Sequence, residues 1–255
     1  MAKQLSITLF LVVLTLHLAA KDYKVTDFGV KADGHTINTA SIQKAIDFVN
    51  ENGGGRLVFE AGNYVTGSIY VKSNVTLHLD YGATLLGSTN PFDYIRDKHI
   101  GWMSMIFAYR QNNIGITGKG TINGQGFITA NNMVNYIHRG IYTDPLKLDR
   151  PNETHRPQNL YFRECTNVTI TGITLRDPAS WNQTYDQCKN VYVDGITVDS
   201  KSYWNNDGID IVDCDGVVIK NSFFDAADDV ICFKSHDAQS ICQNVVVDNC
   251  VGRSS

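Results

Sequence analysis

The chain has 255 residues, of which 43% are hydrophobic, and its formal net charge is −4. A chain of this length can bury the core of one sizeable domain, and its apolar content excludes global disorder. The slightly acidic balance provides no basic surface for phosphate, so we expect no nucleic acid among its partners.

The first twenty residues have the pattern of a signal peptide. Lys3 precedes an apolar run, Leu5–Leu18, and two alanines follow it. A basic start, a short apolar core and small residues are typical of export signals, and the run is shorter than the ~20 residues of a membrane span. We therefore expect a signal over residues 1–20, a folded part over 21–255 and a secreted or periplasmic protein without stable membrane insertion. A retained anchor is the alternative.

The folded part begins with a strand and a helix. Tyr23–Gly34 reads as a strand and a turn. Apolar residues then recur at i, i+3, i+4 and i+7, which predicts an amphipathic helix. These positions are Ile42, Ala45, Ile46 and Val49. Thr39 or Ser41 is the predicted cap, and Gly53–Gly55 is the predicted end.

The rest of the chain is repetitive and rich in strand patterns. Four segments share alternating apolar positions and a central Gly or Asn that suits a left-handed bend. They are CTNVTITGITL from Cys165, CKNVYVDGITV from Cys188, CDGVVIKNSFF from Cys214 and CQNVVVDNCVG from Cys242. The central residues are Gly172, Gly195, Asn221 and Asn249.

The cysteines that open these segments lie 23, 26 and 28 residues apart. No helical period or leucine ladder recurs, so helical repeats and leucine-rich repeats are excluded. A coil of three short parallel strands fits the period, and stacked coils bury a continuous core. We therefore predict an all-β parallel β-helix whose first coil is covered by the early helix.

Equivalent residues of stacked coils lie ~4.8 Å apart, so the four cysteines should form an interior ladder. Buried free thiols and disulfides are both compatible with that spacing. The sequence has no Cys-x-x-Cys pair, which argues against a zinc site.

Two acidic segments carry the candidate chemistry. The first is Asn205–Asp210 (NNDGID), and the second is Ala227–Asp229 (ADD). Asp207 precedes Asp228 by 21 residues and Asp229 by 22, close to one coil. In a β-helix these side chains become vertical neighbours, and their repulsion should raise at least one pKa. A protonated acid beside an ionised base suits glycoside hydrolysis. A calcium site and plain turns are the alternatives at this stage.

These residues resemble the motifs of the polygalacturonase family, glycoside hydrolase family 28. That family carries an Asn-Thr-Asp-Gly-Ile-Asp segment, with Gly-Asp-Asp about twenty residues later. TDFGVKADG at Thr26–Gly34, GTINGQG at Gly120–Gly126 and Arg156-Pro157 are also similar to the family. The resemblance covers nearly all of residues 21–255.

The resemblance implies a right-handed, single-stranded, pectin-lyase-like parallel β-helix with an N-terminal capping helix. It implies that Asp228 is the general acid and that Asp207 and Asp229 activate water, with inversion of the anomeric carbon. It further implies an acidic plant polysaccharide as partner, namely pectin, polygalacturonate or rhamnogalacturonan, and neither a metal nor an organic cofactor. β-Helices of this kind are commonly monomers, so we expect a monomer.

The chain departs from the family pattern in two ways. Asn206 and Ala227 replace the usual Thr and Gly, which are mild changes. The family's Gly-His-Gly and Arg-x-Lys motifs do not occur after the second acidic segment. We therefore expect the chain to be the N-terminal part of a longer catalytic domain, with its C-terminal coils missing.

Four further residues are candidates for substrate binding. Trp204 could stack on a sugar ring, and Asn205 belongs to the first acidic segment. Lys234 could bind a uronate carboxylate, could be a solvated lysine or could pair with Asp210. His236 could line the cleft or could be a turn residue.

Two other functions fit the sequence. A non-catalytic carbohydrate-binding or structural β-helix would explain why the last two family motifs are missing. A calcium-dependent pectate lyase would need the carboxylates for metal and a basic residue for proton abstraction, for which Lys234 is the candidate.

Overall fold

A computed structural model describes residues 21–144 and 150–254. The predicted signal peptide lies outside the described residues. Within the described part of the chain, no helix is both long and apolar enough to cross a membrane.

The described part of the chain consists of short strands, three 3-10 turns and two α-helices. The helices are α1, Thr39–Glu51, and α2, Gly126–His138. The strands are β1 Asp22–Lys24, β2 Asp33–Ile37, β3 Gly55–Phe59, β4 Gly62–Thr66, β5 Ile69–Tyr70, β6 Val75–Leu79, β7 Ala83–Gly87, β8 Ser104–Tyr109, β9 Asn112–Gly118, β10 Thr121–Asn123, β11 Gln158–Arg163, β12 Thr166–Thr171, β13 Thr174–Arg176, β14 Gln183–Asp186, β15 Lys189–Asp194, β16 Thr197–Ser200, β17 Ile209–Val212, β18 Asp215–Lys220, β19 Phe223–Ala226, β20 Ile231–Lys234, β21 Gln243–Asp248 and β22 Val251–Ser254.

These strands form three parallel sheets, and each coil contributes one strand to each sheet from β3 onward. The first sheet has the order β1-β3-β6-β9-β12-β15-β18-β21, the second β2-β4-β7-β10-β13-β16-β19-β22 and the third β5-β8-β11-β14-β17-β20. Equivalent repeat positions pair directly, as Val168 does with Val191 and Val191 with Val217. The predicted parallel β-helix is therefore confirmed, and its core runs between the three sheets.

The bends between the first and second sheets also agree with the repeat. Gly172 and Gly195 have φ values of 74° and 64°, and Asn221 and Asn249 have values of 50° and 48°. Each lies in the left-handed region, which glycine and asparagine tolerate best.

Helix α1 buries the four residues predicted from its periodicity, Ile42, Ala45, Ile46 and Val49. The capping prediction was wrong. Asn38 is the N-cap and makes no side-chain capping bond, while the Thr39 hydroxyl accepts a hydrogen bond from the Gly67 amide at 2.8 Å. This threonine therefore joins the helix to the second coil.

We expect Ile46→Ala to destabilise the protein by about 2 to 5 kcal/mol, because it leaves a cavity under α1. Ile37→Ala is the control, since Ile37 is half exposed. It should change the free energy of unfolding, measured in urea, by less than about 0.5 kcal/mol. Equal losses for the two variants would show that α1 does not stabilise the stack.

The cysteine ladder is present, and all six cysteines are free thiols. Cys165, Cys188 and Cys214 are fully buried, while Cys242 is half-buried. The thiols of the first three donate to carbonyl oxygens two residues earlier, at 3.3 to 3.5 Å. In this structure they act as small interior fillers.

Helix α2 was not predicted from the sequence. It packs on the coil through its buried residues, Gly126, Thr129, Ala130, Met133 and Ile137. A Cβ added at Gly126 would lie 2.1 Å from the Pro178 oxygen, so the helix start and the turn at 178–180 are in close contact. That turn is part of the site described next.

Candidate active site

The third sheet brings the two acidic segments together. Strand β17 pairs with β20 so that Ile209 faces Ile231 and Asp210 faces Cys232. The Gly208 amide donates to the Asp229 carbonyl oxygen at 2.8 Å, which continues this register before the strands begin. Asp207 is therefore level with Asp229 on the next coil, as the spacing predicts.

The aspartates differ in exposure. Asp207 is 3% exposed and Asp210 is fully buried, whereas Asp228 and Asp229 are exposed. The first acidic segment thus provides buried carboxylates at the base of the site, and the second provides carboxylates at its surface.

Lys234 holds the two buried carboxylates. Its Nζ lies 2.8 Å from Asp210 Oδ1 and 3.2 Å from Asp207 Oδ2. It also lies 3.0 Å from Cys232 Sγ and 4.3 Å from the centre of the Trp181 ring. Of the roles that the sequence allowed for Lys234, the structure shows the pairing with Asp210.

Burial shifts the pKa values of the two aspartates and of Lys234 in opposite directions. Burial raises the pKa of Asp207, Lys234 opposes that rise, and the charge of Asp228 adds to it. Burial and then the Asp207 carboxylate raise the pKa of Asp210 well above its usual range. A raised pKa was predicted from repulsion between carboxylates, but its main cause is desolvation. Burial lowers the pKa of Lys234, yet its interactions with Asp210, Cys232 and Asp207 together outweigh burial and raise the pKa overall.

Arg156 was noted above only as part of a segment that is similar to the family. In the structure it holds the loop before Asp207 in place. It is fully buried, and burial, together with the neighbouring Arg150, lowers its pKa to about 10. Its guanidinium donates to the carbonyl oxygens of Pro151, Ala179 and Trp204, at 3.0, 2.6 and 2.6 Å. Three separate segments of chain therefore meet at one cation.

The side chains of both asparagines in the first acidic segment form hydrogen bonds with other groups of the protein. The Asn205 side-chain oxygen accepts from Arg156 Nη2 at 2.7 Å, with its backbone at φ 57°. The Asn206 amide donates to the carbonyl oxygens of Pro178 and Ser180, at 3.1 and 2.6 Å. These contacts anchor the loop, and substrate binding by Asn205 stays a prediction.

The aromatic residues around the acidic segments, including the candidate Trp204, differ in exposure. Trp204 is 60% exposed, and the Arg150 guanidinium lies 5.0 Å from the centre of its ring. Trp181 is 8% exposed and lies 4.5 Å from Trp102, so it is a packing residue. The Tyr203 ring lies against Arg156 at 5.3 Å. Trp204 is therefore the accessible aromatic face beside the acidic segments.

His236 follows the C-terminal end of β20, whereas the second acidic segment precedes the N-terminal end of that strand. Its backbone amide donates to Asp213 Oδ2 at 2.8 Å, and its side chain lines a cleft of about 290 Å³. Trp102, Arg163 and Asp186 line the same cleft. His236 is thus part of a cleft, and its backbone is part of a turn.

Among residues 21–144 and 150–254, no group of three or more His, Cys, Asp or Glu side chains is arranged to hold a metal ion. The buried carboxylates instead contact the ammonium of Lys234.

The stacked parallel coils place the chain among the right-handed parallel β-helix proteins. Within that class it belongs to the glycosyl hydrolases family 28, whose sequence pattern matches residues 56–253. The family resemblance noted from the motifs is therefore confirmed.

The similar proteins agree with this family. The exo-poly-alpha-D-galacturonosidase of Dickeya chrysanthemi is 28% identical over 86% of this chain and 43% of its own length. The family 28 exopolygalacturonase of Yersinia enterocolitica superposes with a TM-score of 0.72 at 29% identity, over 84% of this chain and 45% of that protein. A candidate glycosyl hydrolase from Parabacteroides merdae gives a TM-score of 0.79 at 34% identity, over 91% and 96% of the two chains. The chain spans less than half of the Dickeya and Yersinia proteins.

Proposed function

We propose that this protein is a glycoside hydrolase that cleaves galacturonate-containing pectic polysaccharide. The observation that carries the proposal is the register of the third sheet, which sets Asp207 level with Asp229 and leaves Asp228 beside them. Membership of family 28 and the similarity to polygalacturonases support the choice of substrate.

In the proposed reaction, Asp228 is the general acid. Its exposed carboxyl donates a proton to the glycosidic oxygen as the bond to the anomeric carbon breaks. Asp207 and Asp229 orient a water molecule and accept its proton while its oxygen attacks the same carbon from the opposite face. Such a displacement inverts the anomeric configuration and requires carboxyl groups ~6.5–9.5 Å apart.

The surroundings suit an extended acidic polymer. Trp204 offers an aromatic face beside the acidic segments, which suits the C–H surface of a sugar ring. His236 and Arg163 line the cleft at the far end of the third sheet and could face uronate carboxylates. The signal-like residues 1–20 suit a secreted or periplasmic protein that meets plant polysaccharide outside the cytoplasm, and we propose that it acts as a monomer without a cofactor.

The proposal is tested by incubating the protein with polygalacturonate and measuring reducing ends. Proton NMR of the first products should show the inverted anomer before mutarotation. Calorimetry with the same polymer distinguishes the alternative of a non-catalytic carbohydrate-binding β-helix. Binding without product would replace the hydrolase with that function. Activity that chelator abolishes would indicate a metal-dependent lyase.

A further inference from the structure

Lys234 occupies an unusual position at the base of the site. It is the last residue of β20, and its side chain is only 19% exposed. The carboxylates that it contacts are 4% exposed for Asp207 and fully buried for Asp210. One cation therefore serves two acids in a region with little water.

The contacts of the ammonium combine hydrogen bonds with charge pairing. Nζ donates to Asp207 Oδ2 at 3.2 Å and to Cys232 Sγ at 3.0 Å, and it forms an ion pair with Asp210 Oδ1 at 2.8 Å. The Trp181 ring lies 4.3 Å away, at a distance typical of a cation–π contact. The ammonium is largely buried and already paired with two carboxylates, so its contacts favour action through the neighbouring acids.

Titratable groups around Lys234 come from two neighbouring coils, and Asp229 lies beside Cys232. Asp207 precedes β17, Asp210 lies on β17, Cys232 lies on β20, and Asp228 precedes β20. The Tyr161 hydroxyl of β11 interacts with Asp210 electrostatically. Lys234 is the cation among these groups, and an opposite charge this close favours the ionised form of a carboxyl group.

We propose that Lys234 is a positioning residue that keeps Asp207 ionised and fixed in direction, while Asp210 and the Trp181 ring hold Lys234 in place. This inference rests on the proposed function for its consequence, because an ionised Asp207 is needed to accept the proton of the attacking water. The effect of Lys234 on the ionisation of Asp207 can be measured without substrate turnover.

The test measures the Asp207 carboxyl directly. Protein labelled with ¹³C at aspartate carboxyl carbons is titrated by NMR, and the Asp207 signal is assigned by its loss in Asp207→Asn. In Lys234→Met the midpoint of Asp207 should rise by about 1 to 3 pH units, because the cation that favours the carboxylate is gone. Lys220→Met is the matched control. Lys220 ends β18, lies 5.0 Å from the Tyr192 ring and pairs with Asp194 at 3.7 Å, so its loss should leave the Asp207 midpoint unchanged.

A double variant distinguishes an effect of Lys234 on Asp207 from mere neutralisation of Asp210. It also provides the measurement if the single variant does not fold. Lys234→Met with Asp210→Asn removes one charge of each sign. If Lys234 acts on Asp207, the midpoint stays raised in the double variant, and the acid limb of any hydrolysis moves to higher pH by the same amount. If Lys234 only neutralises Asp210, the midpoint returns to the wild-type value, and the proposal is overturned. An unchanged midpoint in both variants also overturns it. Absence of hydrolysis by the wild type would count against the proposed function and leave the titration result standing.

Discussion

Asp228→Asn is expected to lower the release of reducing ends from polygalacturonate by about 10²- to 10⁴-fold, the usual contribution of a general acid. Asparagine keeps the shape of the side chain but has no carboxyl proton to give to the leaving oxygen. Because Asp228 is exposed, the free energy of unfolding should change by less than about 0.5 kcal/mol. Initial rates and urea unfolding of the same preparation check both expectations.

The control is Asp248→Asn, which removes an exposed carboxylate from the end of β21 in the first sheet. Its rate should equal that of the wild type. Wild-type rates for Asp228→Asn would exclude this residue as the acid. Equal losses in both variants would indicate that the net charge of the protein, rather than proton transfer, controls the rate.

The stacking of the coils was predictable because the repeat itself encodes it. Alternating apolar residues and a Gly or Asn at the bend recur with each coil, so the register of Val168 on Val191 follows from aligning the segments. The vertical placement of Asp207 against Asp229 follows in the same way. These features depend on local patterns and on one period.

Other features depend on contacts that no period encodes. The buried positions Ala130, Met133 and Ile137 have helical spacing, which is the sequence signal for α2, but strand repeats flank this short segment on both sides. The role of Lys234 does not follow from the sequence, because a lysine at the end of a strand can face solvent or an acid on the preceding coil. Only the coil packing places it between Asp207 and Asp210.

The contacts of Arg156 are likewise not encoded by the repeat. Its replacement should have a large effect on stability. Arg156→Met keeps much of the apolar stem but removes the donors to three carbonyl oxygens and to Asn205. A buried acceptor left without a partner costs about 1 to 3 kcal/mol, so we expect a loss of at least about 3 kcal/mol in the free energy of unfolding. Urea unfolding measures it.

Arg150→Met is the matched control for that experiment. Arg150 also contacts Asn205 and lies over Trp204, but it is half-buried, and the three carbonyl bonds of Arg156 remain when it is changed. It should cost less than about 1 kcal/mol. Hydrolysis assayed where both variants are folded should fall more for Arg156→Met, since a shift of about 1 Å in a reacting group can cost about 10²-fold in rate. The backbone between Trp204 and Asp207 is the part that Arg156 secures, so a stable Arg156→Met protein with wild-type activity would show that other contacts hold Asp207 in position.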